Sequence, residues 1–112
     1  MTQLQKALAL CKEAHKGQFR SDGVTPYETH PIAVAELVST EEEKIVALLH
    51  DVFEDTGITG DVLLDMFGDR VYAQVVRLTK TKGHKYIDYI YSIKECPACI
   101  NVKIADMFHN LT

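Results

Sequence analysis

Thr40-Glu41-Glu42-Glu43-Lys44-Ile45-Val46-Ala47-Leu48-Leu49-His50-Asp51 is the stretch whose reading decides the fold. It opens with Thr-x-x-Glu. The Thr40 hydroxyl can accept from the Glu43 backbone N–H while the Glu43 carboxylate reaches back to the Thr40 N–H. Such a reciprocal cap starts a helix, and Ile45, Val46, Leu48 and Leu49 follow at the spacing of a buried helical face. The helix is expected to carry His50 and Asp51 near its C-terminal end and to exit near Gly57. Glu41, Glu42 and Glu43 favour the positive end of the helix dipole and read as a solvated face.

The same signals extend in both directions. Thr2 can cap a first helix running to about Lys16, with Leu4, Ala7, Leu8, Cys11 and Ala14 as its apolar stripe and Gly17 ending it. Ser21-Asp22-Gly23 and Pro26 make residues 17–30 a loop. Pro31 can open a second helix with His30 at the cap, burying Ile32, Val34, Ala35, Leu37 and Val38. Thr59 is expected to cap a short helix ended by Gly68, and Asp69 to cap another through about Leu78. Residues 79–83 read as a loop. Residues 84–94 read as a helix with His84 as a surface cap and Tyr86, Ile87, Ile90 and Ile93 inward. Pro97 suits the first turn of a last helix to about Asn110. Residues 71–76 hold strand formers but continue a helical stripe. The expected fold class is therefore all-α, a bundle of about six to seven helices in one domain over residues 1–112.

Composition bounds the function. The chain has 112 residues, 46% hydrophobic and 25% charged, which suits one globular domain. A net charge of −4 argues against a nucleic-acid backbone as partner, since such binders carry a basic face. A small phosphorylated ligand stays open, because a bound dication reverses the local field. No run of about 18 apolar residues is present to cross a membrane. The first residues lack the pattern of a secretion signal. Three cysteines do not form a disulfide framework, so a cytoplasmic location is expected. Cys96-Pro97-Ala98-Cys99 lacks a partner pair for zinc and a preceding strand, and reads as two small core-facing residues.

His50-Asp51-Val52-Phe53-Glu54-Asp55 is the densest chemical feature. Adjacent helical side chains project about 100° apart, so an imidazole and a carboxylate can converge on an ion beside the helix. Glu54 lies one turn after His50, where it could hold a water. A His-Asp dipeptide alone is more often surface chemistry, and a histidine at a helix start is more often a cap. Asp106 is less ordinary. It sits late in a helix, opposed to the dipole and flanked by Ile104, Ala105 and Phe108, so a cation should compensate it. His30, His50, Asp51 and Asp106 could together form a two-His, two-Asp site. Nitrogen and oxygen donors without thiolate favour manganese, iron or zinc, with manganese first because half the set is carboxylate. His15 reads equally as a neighbour of the site or as a half-buried residue, and His109 as structural.

The motifs His15-Lys16-Gly17-Gln18-Phe19-Arg20, Pro26-Tyr27-Glu28-Thr29-His30-Pro31, Leu49-His50-Asp51, Glu54-Asp55-Thr56 and Val102-Lys103-Ile104-Ala105-Asp106-Met107-Phe108-His109-Asn110 occur in this order. Together they resemble the hydrolase domain of RelA/SpoT-type guanosine polyphosphate pyrophosphohydrolases, members of the HD superfamily. The resemblance implies an HD-type helical bundle and a manganese ion held by His30, His50, Asp51 and Asp106. It implies that Glu54 and Asp55 position or deprotonate the attacking water, and that Arg20 and Asn110 meet the substrate. The implied reaction is removal of the 3′-pyrophosphate from guanosine tetra- or pentaphosphate. The alternatives are a related nucleotide phosphohydrolase, such as one acting on NADPH, and a metal-bound nucleotide-binding module of weak activity. Family members continue with further helices after the last motif. A homodimer is therefore expected to cover the apolar surface here. Ser21 and Met107 stand where basic residues are common in the family.

Overall fold

The structure, a computed structural model, describes residues 1–79 and 85–111, with only the backbone of Glu54 and Asp55. Residues 80–84 and Thr112 lie outside the described residues, and with them most of the expected loop at 79–83 and the expected cap His84. Seven helices form among the described residues: α1 (Gln3–Ala14), α2 (Thr29–Leu37), α3 (Glu41–Leu49), α4 (Val52–Asp55), α5 (Gly60–Leu78), α6 (Tyr86–Ile93) and α7 (Pro97–Asn110). The extended pairing among them is a single bridge between Phe19 and Pro26. The architecture is all-α, as the sequence predicts.

α3 forms the centre of the bundle. Both reciprocal hydrogen bonds of the Thr40/Glu43 capping box are made. The helix packs against α1, α2, α5 and α7, so six of its nine residues are buried rather than one stripe. Glu43, expected on a solvated face, is 5% exposed, because the Asn101 amide donates to its Oε2 at 2.6 Å and ties α3 to α7. Those bonds and the cap hold its carboxyl below the ordinary range, against the opposing effect of burial. The second capping box, Thr2 with Gln5, starts α1, whose Ala7 and Cys11 face the core.

Several boundaries differ from the sequence reading. The third helix stops at Leu49, and a separate turn, α4, follows. The two helices expected on either side of Gly68 are both present and meet there across a kink, and they are numbered together as α5. Gly68 itself, at φ +86°, carries the non-helical backbone, whereas Asp69 has helical dihedrals and is no cap. His30 lies inside the first turn of α2, not at its cap. Leu37 of α2 is exposed, and in α6 it is Tyr89 and Ile93 that face inward while Tyr86 and Ile87 face out. The Tyr89 hydroxyl donates to the Leu78 carbonyl at 3.0 Å, a bond that rotates α6 away from the face expected. Cys96 caps α7 through its sulfur and Cys99 is buried, in keeping with two core-facing thiols.

Candidate metal centre

His50 and Asp51 occupy the break between α3 and α4, His50 as the last cap of one and Asp51 as the first of the other. The break turns both side chains toward α2 and α7. His50 is buried, and its Nδ1–H donates to the Ala47 carbonyl one turn earlier at 2.5 Å. Its Nε2 thereby faces inward, 3.2 Å from Asp51 Oδ2 and 3.3 Å from Asp106 Oδ1. His30 projects from the start of α2, buried, with Nε2 2.6 Å from Asp106 Oδ1. Asp106 comes from the last two turns of α7. One donor atom from each of His30, His50, Asp51 and Asp106 lies within 4.8 Å of every other. The structure thus brings together all four residues that the sequence singles out.

Electrostatics knit the cluster. Burial alone would lower the His50 pKa, but its hydrogen bond to Asp106, the Asp51 charge and the Ala47 carbonyl raise it to about 9. Burial pushes the Asp106 carboxyl the other way. Hydrogen bonds from His30 and His50 overcome that and hold it far below the ordinary carboxylate range. Lys103 Nζ, 3.5 Å from Asp106 Oδ2, adds a weaker pull in the same direction. The donor set is two imidazole nitrogens and two carboxylates, with both Nδ1 atoms engaged outside the cluster. This composition fits a borderline to hard dication, whose nitrogen and oxygen ligands sit at about 2.0–2.2 Å.

A pocket of about 230 Å³ opens beside the cluster and is lined by Arg20, Ser21, Tyr27, His30, Asp51, Asp106 and Asn110. Arg20 Nη2 donates to Asn110 Oδ1 at 3.3 Å, so the two residues expected to meet a substrate stand side by side at its rim. Arg20 is carried on a folded turn: Arg20 N–H bonds the Thr25 carbonyl, and the Asp22 carboxylate accepts from Val24 and Thr25. A second pocket of about 180 Å³ reaches His50, Asp51, Asp106 and Lys103 from the α6 side. The two pockets share Asp51 and Asp106. Glu54 and Asp55 follow Asp51 in α4, and their side chains lie outside the described residues.

The residue reading did not assign three neighbours. The Tyr27 hydroxyl donates to Asp51 Oδ2 at 2.7 Å. Lys103 faces Asp106. His109, read as structural, meets His30 through their Nδ1 atoms at 2.7 Å. The spacing of Lys103 and His109 around Asp106, one helical turn either side, was an available signal. Nothing in the residue pattern around Tyr27 flagged it, since its partner is 24 positions away. His15, left open above, is buried, bonds Gln18 Oε1 through Nδ1 at 2.9 Å, and packs its ring 4.8 Å from that of Tyr27.

Comparison with known proteins gives the following likenesses. A family model described as "HD domain" matches residues 7–95. The guanosine-3′,5′-bis(diphosphate) 3′-pyrophosphohydrolase of Haemophilus influenzae is 36% identical over 118 residues, covering 91% of this chain and 17% of the relative. The bifunctional (p)ppGpp synthase/hydrolase SpoT of Escherichia coli is 35% identical over 123 residues, covering 96% and 17% respectively. The chain thus spans about a sixth of the length of these curated relatives. A solved structure, described as a metazoan ortholog of SpoT that hydrolyzes ppGpp, superposes with a TM-score of 0.81 at 26% identity. That match covers 99% of this chain and 69% of the other.

Proposed function

Because this chain belongs to the HD domain family, we propose that it hydrolyses the 3′-pyrophosphate of guanosine tetra- and pentaphosphate with the help of a divalent metal. The observation that carries the proposal is the convergence of two inward Nε2 atoms and two carboxylates from separate helices. The relatives named for this reaction, and the solved structure that hydrolyzes ppGpp, support the choice of substrate.

His30, His50, Asp51 and Asp106 are assigned to the cation, and manganese is the ion we infer from the equal mix of imidazole and carboxylate. A dication held there supplies Lewis acidity toward water and a phosphoryl oxygen. Glu54 and Asp55 are assigned to the attacking water, as acceptors of its proton. The bond broken joins O3′ to its phosphorus. Water supplies the hydroxyl to the departing pyrophosphate and the hydrogen to O3′. Arg20 offers a planar fork of donors to phosphate, or a face for the base, and Asn110 holds that fork in place. Tyr27 fixes Asp51 through its hydroxyl.

Two further points belong to the same reading. Ile104, Met107, Phe108 and Leu111 are exposed along α7 and its end, and we infer a homodimer that covers them. Light scattering at micromolar concentration should show twice the chain mass, and a monomer would sink this inference. Three free thiols and the proposed nucleotide substrate support a cytoplasmic location. No helix among the described residues is long and apolar enough to cross a membrane.

The test offers the purified chain, with manganese, guanosine tetraphosphate, NADPH and a generic phosphodiester. Pyrophosphate release from the first alone is the expected result. Phosphate release from NADPH would transfer the assignment to a related nucleotide phosphohydrolase. Nucleotide binding without turnover of any substrate would replace the enzyme with a binding module.

A further inference from the structure

His30 differs from its companion His50 in how its outer nitrogen is held. His50 Nδ1 faces a backbone carbonyl, which can only accept, so Nδ1 keeps its proton and Nε2 is the nitrogen that gives up a proton to receive a cation. His30 Nδ1 faces another imidazole nitrogen, His109 Nδ1, at 2.7 Å. The ring planes lie within 25° of each other and the centroids are 5.0 Å apart. The centroid separation exceeds the N···N distance by about the width of one ring, which requires the two nitrogens to point at each other edge to edge. One of them donates and the other accepts.

The direction of that bond decides what His30 can do. If His109 donated, a neutral His30 would carry its proton on Nε2, the atom 2.6 Å from Asp106 Oδ1 at the centre of the cluster. A protonated Nε2 has no lone pair for a cation. If His109 accepts, His30 keeps a proton on Nδ1, the proton that Nε2 shares with Asp106 is the one a cation displaces, and the loaded His30 is the Nδ1–H tautomer with Nε2 as a ligand. We propose that His109 is the positioning residue that locks His30 into its metal-binding tautomer and ring orientation, the role that a peptide carbonyl plays for His50. This inference rests on the assignment of His30 as a metal ligand. The i, i+3 relation of Asp106 and His109 on α7 places both on one helix face, so one helix supplies a ligand and also orients a second ligand on α2.

The experiment measures zinc affinity by competition with a chromophoric chelator, alongside the melting temperature of each metal-free protein. His109→Phe keeps a ring but offers no acceptor, and its affinity should fall roughly 10–100-fold. His109→Asn places an amide oxygen close to where Nδ1 stood and should stay within a few-fold of the parent. A purely structural role would instead lower the metal-free melting temperature of both variants and leave the affinity of the folded fraction unchanged. Long-range proton–nitrogen spectra of the zinc-loaded parent supply a readout that needs no variant. His30 should appear as the Nδ1–H tautomer and His109 as the Nε2–H tautomer. Equal zinc affinity for the parent and His109→Phe, or a proton on His109 Nδ1, would overturn this inference while leaving the ligand set standing. No zinc binding by the parent would overturn both.

Discussion

Metal uptake by this chain should expel a proton from His50, and affinity should climb steeply with pH. In the metal-free cluster the neighbouring carboxylates raise the His50 pKa from 6.5 to about 9. At pH 7 the imidazole is then about two units below its pKa, so roughly 99 in 100 molecules must lose a proton before Nε2 can serve as a ligand. The resulting penalty is about 100-fold in affinity, or about 3 kcal/mol, relative to solutions above the pKa. Apparent affinity for manganese should rise about tenfold per pH unit between pH 7 and 9. Calorimetry at pH 7.5 in two buffers of different ionisation enthalpy would count the protons released, and about one is expected. Asp106→Asn removes the partner that does most to raise the pKa, so His50 of the metal-free variant should titrate lower than in the parent, while Asp51 and the Ala47 carbonyl still oppose burial. Affinity flat from pH 7 to 8.5, with heats independent of buffer, would refute the reasoning. The same shift governs the metal-free fold. A folded pKa above the unfolded one contributes stability that is fully present below about pH 6.5 and is lost as pH rises through about 9. In the presence of a chelator, the urea midpoint should therefore fall across that window.

Three substitutions probe other parts of the site and fold. Asp106→Ala should abolish metal binding, while Glu54→Ala should retain the metal and lose roughly 10²–10⁴ in turnover, the range for a positioned acid or base. Metal titration and initial rates on both variants separate the roles, and unchanged activity in either removes its assignment. Tyr27→Phe deletes one hydrogen bond to a charged acceptor, worth about 1.5–3 kcal/mol. It should weaken metal binding by at least about tenfold without lowering helicity by circular dichroism. Gly68→Ala has open space for its methyl but must hold φ near +86°, which should cost about 1–3 kcal/mol by urea unfolding.

Helix starts were legible wherever a side chain caps its own backbone, because the partners are three residues apart. Thr2 with Gln5, Thr40 with Glu43 and Thr59 ahead of α5 all begin helices where the sequence places them. Rotation about a helix axis was less legible when a distant hydrogen bond sets it. Tyr89 turns inward because its hydroxyl finds the Leu78 carbonyl, and no local pattern encodes that bond. The burial of Glu43 likewise depends on Asn101, 58 residues away. Within the site, side chains that a dication could hold are recognisable by type, and the structure brings His30, His50, Asp51 and Asp106 together. The groups behind them, Tyr27 and His109, have side chains with many ordinary uses. Their positions became meaningful only once α2 and α7 were seen packed together.

The four clustered side chains are drawn from α2, the α3–α4 break and α7, with 76 residues separating His30 from Asp106. An unfolded chain cannot gather them, so a cation that fits the cluster would bind the folded form almost exclusively. Mass action then makes the ion a clasp: at one hundred times its dissociation constant it adds about 2.7 kcal/mol to folding. Were the proposed reaction to use that ion, a cell starved of the metal would hold a looser protein as well as an idle one.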